Sequence, residues 1–155
     1  MRLLNRFHLL IPQRARQKRV RGSAVIEMAL LSPWFLFLFI GVVDMGFYSY
    51  QLISVENAAR VAAEYTSTGM SVADNSAGAC TKVRAELASL ANVSGLANCD
   101  NLPLKVIATK GTGLGGLGTA TTVTVTYQST KMVPIPGLLT NQLTFSRTVV
   151  VRVKP

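Results

Sequence analysis

The sequence predicts an α+β protein. A long N-terminal transmembrane helix extends out of the membrane, and a second, amphipathic helix packs on a small three-stranded antiparallel sheet. Three observations carry this. Residues 24–43 hold a single charge, Glu27, in an otherwise uncharged apolar run. Apolar residues recur at helical spacing between residues 77 and 92, and three runs in the last third alternate or cluster β-branched residues.

The first element is the apolar run. Twenty residues at 1.5 Å each span roughly the 30 Å hydrocarbon layer, so 24–43 reads as one transmembrane helix. Pro33 lies inside it, where a membrane helix tolerates the lost backbone donor if neighbours satisfy the freed carbonyl. A cleaved secretory signal would need a small-x-small site soon afterwards. The run instead ends in "DMGFYSYQ", whose Phe47, Tyr48 and Tyr50 suit a membrane–water interface.

Charge then sets the orientation. Of 16 Lys and Arg residues, seven (Arg2, Arg6, Arg14, Arg16, Lys18, Arg19, Arg21) precede residue 23, where there is no acid. By the positive-inside rule this basic leader, residues 1–22, faces the cytoplasm and the chain beyond the span lies outside. The remaining nine basic and seven acidic residues nearly balance. The excess charge is thus a tail on a hydrophobic segment rather than a stripe on a folded domain, which argues against nucleic acid as a partner.

Helix continues beyond the span through "YSYQLISVENAARVAAEYTSTG", because neither Pro nor Gly occurs there before Gly69. The transmembrane and extended helix accordingly covers residues 23–68, and a small extracytoplasmic α+β domain follows over 69–155. "TGMSVADNSAG" reads as a loop. The second helix occupies about residues 77–92, with Cys80, Val83, Leu87, Leu90 and Ala91 on one face, Lys82, Arg84 and Glu86 off it, and Gly95 as its stop.

Strand signals come next in "LPLKVIATK", "TATTVTVTYQST" and "LTFSRTVVVRV". Between the first two, "GTGLGGLG" contains G-x-G-x-x-G at Gly113, Gly115 and Gly118. A dinucleotide site requires a helix N-terminus directly after those glycines, whereas a strand pattern follows. The segment therefore reads as a hairpin loop, with no small-molecule cofactor. "MVPIPGLLT" connects the second and third strands.

No catalytic constellation stands out. The one histidine, His8, is in the basic tail; the carboxylates are scattered, and no phosphate-binding loop, metalloprotease or nucleophile-elbow motif occurs. The expectation is a protein that is not an enzyme. Cys80 and Cys99, the two cysteines, lack the further donors that a closed zinc site needs, so no metal is expected. In an oxidising compartment they would form a disulfide from the start of the second helix to the approach of the first strand; two buried free thiols are the alternative. A helix from residue 80 to 92 runs about 18 Å, a distance that the seven residues to Cys99 can return.

Glu27 is the fifth residue after Gly22. A basic leader, Gly22, four residues, Glu27 and a continuous apolar helix together resemble a class III or type IV prepilin signal. The wider segment "RGSAVIEMALLSPWFLFLFIGVVDMGFYSYQLISVENAARVAAEY" is similar to the N-terminal region of TadE-like pseudopilins of the tight adherence (Tad or Flp) pilus system. It shares R-G, small residues, the Glu, a Pro in the apolar run, an acid-x-G and a downstream N-A-A-R. Met28 stands where the Flp-type signal often has an aromatic, and Ser23 where many type IV pilins begin with Phe.

The resemblance implies that a prepilin peptidase cuts between Gly22 and Ser23, and that the mature chain sits in the bacterial inner membrane with other pilins and the pilus assembly machinery as partners. It also gives Glu27 a role in assembly, as the counterion of the ammonium that cleavage creates at Ser23. Placement at the cytoplasmic interface, where a carboxylate reaches water, is the simpler account of the same residue. A different functional class also fits the residues: an uncleaved, signal-anchored extracytoplasmic binding module unrelated to pili.

Overall fold

The first helix, α1, spans Arg16–Thr66 and is 51 residues long. The computed structural model describes residues 16–116, 118–130 and 142–155, and of residues 16–23 and 114 the backbone alone. Arg2, Arg6, His8, Arg14 and the connection "MVPIPGLLT" lie outside the described residues. Pro33 falls within α1. Three hydroxyls close its last turn, Thr66, Ser67 and Thr68 donating to the carbonyls of Ala63, Glu64 and Tyr65 at 3.1, 2.7 and 2.8 Å. These bonds occupy carbonyls that have no partner further along the helix.

The chain divides into two units, Met1–Val43 and Asp44–Pro155. In the first, the described side chains are those of the apolar stretch of α1, and all but the half-buried Ile40 and Gly41 are exposed; Trp34 and Val42 each retain 71% of their accessible surface. A helix apolar all round is the form of a membrane span. This helix fits a membrane anchor.

The second unit carries the hydrophobic core. It contains the last part of α1, helix α2 (Ser76–Glu86) and strands β1 (Leu104–Thr112), β2 (Thr119–Gln128) and β3 (Thr144–Arg152). The fold is α+β, with an antiparallel sheet in the order β1-β2-β3. Register pairs Leu104 with Tyr127, Val106 with Val125 and Ala108 with Val123, so one face gathers the buried residues of both strands. Thr122, Thr124 and Thr126 fall on the other face, which is the period-2 alternation seen in the sequence.

Val55, Ala58, Ala59, Ala62 and Ala63 of α1 join this core, each fully buried. Their spacing of three and four residues makes a single stripe along the helix. Four of these five side chains are alanines with no exposed surface, so a larger side chain there would overpack.

α2 begins at Asn75, whose side chain accepts a hydrogen bond from the Gly78 N–H at 2.8 Å, the preferred chemistry for a helix N-terminus. Ala79, Cys80 and Val83 face the core. The helix is shorter than its sequence pattern, which runs on to residue 92. From Leu87 the chain proceeds by three-residue turns, Leu90 N–H to Leu87 carbonyl at 2.9 Å and Val93 N–H to Leu90 carbonyl at 3.0 Å. This spacing keeps Leu87, Leu90 and Val93 buried, leaves Ala91 exposed, and presents Asn92 to the end of β2. Gly95 therefore does not stop the helix, although its φ of 97° requires a glycine in this later turn.

The glycine segment joins β1 to β2 through a short 3-10 turn at Leu114–Gly116, with φ of 82°, 76° and 76° at Gly115, Gly116 and Gly118. A strand follows these glycines, so the segment is a hairpin connection.

Candidate processing and anchoring site

Gly22 and Ser23 lie within the backbone of α1. A glycine in a helix interior costs about 1 kcal/mol relative to alanine, which makes this turn easier to unwind than its neighbours. Ser23 and Glu27 are four residues apart and so occupy one helix face, about 6 Å apart along the axis. Glu27 is exposed, and the apolar residues Ala24, Val25 and Ile26 precede it. A positive charge at the Ser23 nitrogen would thus stand within one turn of the Glu27 carboxylate, in the same chain.

Of the other acids near the apolar stretch, Glu56 accepts a hydrogen bond from Arg60 Nη2 at 2.7 Å. Both are exposed, and such an i,i+4 pair contributes a few tenths of a kcal/mol. Arg60 ends the N-A-A-R motif, whose two alanines lie in the core. The motif therefore faces two ways, its small residues inward and its cation outward.

Residues 22–64 match the model of the TadE-like protein family. This segment is TadE-like. The match begins at Gly22 and ends within the alanine stripe, so the TadE-like segment supplies both the apolar stretch and the helix that closes the core. No curated protein and no solved structure matches the chain.

Cys80 and Cys99 are joined in a disulfide, with their Cα atoms 5.8 Å apart. The bond links α2 to the segment before β1, and the Cys99 carbonyl accepts from the Val106 N–H at 2.9 Å. Ser76 fastens the same strand, its Oγ accepting from the Ala108 N–H at 2.9 Å. Tyr48 and Tyr50, assigned to an interfacial belt by sequence, touch the folded unit: the Tyr48 ring meets Phe145 edge-on at 5.6 Å, and the Tyr50 hydroxyl lies 3.4 Å from Ser89 Oγ.

Sequence reasoning missed the buried polar residues that organise this unit. The Thr121 hydroxyl donates to the Ala73 carbonyl at 2.7 Å and lies 3.0 Å from the Thr66 hydroxyl, tying the end of α1 and the following loop to β2. One signal was available: Thr121 sits in phase with Val123, Val125 and Tyr127 on the apolar side of an alternating strand. The role of Asn92 had no such signal, since it depends on where β2 ends.

Proposed function

We propose that this protein is a membrane-anchored pseudopilin or minor pilin that takes part in assembling a Tad-type adhesion pilus, after a prepilin peptidase removes the basic leader between Gly22 and Ser23. The carrying observation is the TadE-like match over residues 22–64, which starts at the proposed cleavage junction. In this reading the leader is cytoplasmic, the membrane is the bacterial inner membrane, and residues beyond the span are extracytoplasmic. The Cys80–Cys99 bond supports that side, because disulfides persist in oxidising compartments. Other pilins and the assembly machinery are the partners, and the role is structural rather than enzymatic.

The chemistry follows from the helix. Cleavage turns the Ser23 amide nitrogen into an ammonium, and Glu27 stands on the same face one turn away. In a low-dielectric bundle the two charges attract, within one chain or between neighbouring subunits. The carboxylate then links processing to assembly: the leader-bearing chain lacks the ammonium, and the cut chain has it.

N-terminal sequencing of the membrane-bound protein, made with and without a prepilin peptidase, tests the reading. A mature chain beginning at Ser23 is expected, and Gly22→Val should leave the leader in place because a branched side chain now occupies the cut junction. An intact leader in the wild type, or equal processing of Gly22→Val, would overturn it and leave a signal-anchored binding module.

A further inference from the structure

The two edges of the sheet are treated differently. On the outer edge of β1, the N–H groups of Val106 and Ala108 are occupied by the Cys99 carbonyl and Ser76 Oγ. On β3, the hydrogen bonds Val153 N–H to Thr119 carbonyl at 2.9 Å and Ser129 N–H to Leu143 carbonyl at 2.8 Å flank the β2–β3 ladder. They make the odd-numbered residues of β3 the ones bonded to β2, so the backbone groups of Thr144, Ser146, Thr148, Val150 and Arg152 point the other way. Among the described residues, no backbone or side-chain donor reaches that edge except Arg147 Nη1, 3.4 Å from the Ser146 carbonyl.

The edge is also charged. Arg147 and Arg152 bracket Thr148, Val149, Val150 and Val151, and β3 contains no acid. Arg147, on the face of β3 toward the core, lines a cavity of about 550 Å³ with Glu56, Arg60, Thr148, Val149 and Val150. Glu56 is engaged by Arg60, and no carboxylate pairs with Arg147 among the described residues. A second copy of β3 laid alongside would bring two more arginines and no acid, so it offers Arg147 and Arg152 no counter-charge.

We infer that the open edge of β3 receives an extended, acidic segment of a partner protein as a fourth strand. Its backbone pairs with the outward groups of Thr144 to Arg152, and its carboxylates stand five residues apart, one opposite Arg147 at the cavity and one opposite Arg152 on the outer face. Backbone pairing provides affinity in such strand addition, and the flanking charges provide selectivity and orientation. The inference does not depend on the pilus reading, since it concerns the folded unit and any acidic strand.

The test uses the full chain in detergent micelles and two labelled ten-residue peptides sharing a Thr-Val-Thr-Val centre, flanked five residues apart by Glu in one and Lys in the other. The Glu peptide should bind about tenfold more tightly by fluorescence anisotropy. Arg147→Glu with Arg152→Glu should reverse that preference. Thr148→Pro, which removes an outward N–H and is tolerated on an edge, should abolish binding while circular dichroism stays unchanged. Equal binding of both peptides, none by the Glu peptide, or binding unaffected by Thr148→Pro overturns the inference. So does a dimer in sedimentation that Thr148→Pro dissociates, which assigns the edge to a second copy. Binding that appears only after residues 131–141 are shortened assigns it to the chain's own segment and is equally contrary.

Discussion

The Tyr127 phenol donates a hydrogen bond to Asn92 Oδ1 at 2.6 Å, and Asn92 Nδ2 donates to the Gln128 carbonyl at 2.7 Å. One side chain thus holds both the last core residue of β2 and the backbone beside it. Asn92 reaches this position only because the chain after Leu87 leaves the α-helix for tighter turns.

Burial pushes the Tyr127 phenol above its ordinary value of 10.0. The folded state therefore holds this proton more tightly than the unfolded chain. Stability from this group is fully present below pH 10.0 and is lost as pH rises from there through the folded-state value. Tyr127→Phe should lose about 1 kcal/mol at neutral pH, because Asn92 Oδ1 loses its donor, and should show a shallower fall in Tm above pH 10. Equal slopes in thermal melts of the two proteins would contradict the assignment.

Gly78 packs against Tyr65. A Cβ at residue 78 would stand 2.5 Å from the Tyr65 hydroxyl and 2.6 Å from Cε1, so the ring must move and give up its place beneath Lys82 Nζ, 5.8 Å from the centroid. Gly78→Ala should destabilise by about 1 kcal/mol, overpacking outweighing the better helix propensity of alanine. In a Tyr65→Ala background the same change should become stabilising, and chemical denaturation of the four proteins reads the sign.

The Cys80–Cys99 disulfide closes a loop with a sequence separation of 19. In the chain-entropy model such a loop contributes about 3 kcal/mol, a large share for a unit of this size. Thiol labelling of denatured protein trapped from intact cell envelopes should show no uptake before reduction and two labels per chain afterwards. Replacing both cysteines by alanine should lower Tm, and uptake without reductant would also remove support for an extracytoplasmic domain.

Glu27→Ala should retain membrane insertion, since removing a charge makes the span more apolar. Processing at Gly22 should persist while recovery of pilus fibres falls. Glu27→Asp, which keeps the charge on a shorter stem, should recover part of the loss. Fibre yield measured against an insertion control separates this role from simple interfacial placement; normal yield with Glu27→Ala leaves the interfacial account.

Much of this molecule is written in local pattern. The apolar stretch follows from its length and lack of charge, the continuation of the helix to about residue 68 from the absence of Pro and Gly, and the strands, with the hairpin reading of the glycine segment between two of them, from a spacing of 2 that decides which face a side chain occupies before any partner is present. Reach also showed that the Cys80–Cys99 bridge was feasible. Tertiary structure decided what those faces meet. Residues 77–92 carry a helical pattern, yet α2 stops at Glu86, since placing Leu87, Leu90 and Val93 in the core and Asn92 beside β2 requires a tighter path than an α-helix provides. The alanines of α1 read as helix-forming or packing residues in sequence, and tertiary structure decided that Ala58, Ala59, Ala62 and Ala63 are the ones in the core. The arginine-bracketed edge of β3 is likewise a product of strand order: "RTVVVR" would read the same in a central strand, and among the described residues its outward backbone groups are left over because β2 has a neighbour on each side and β3 has one.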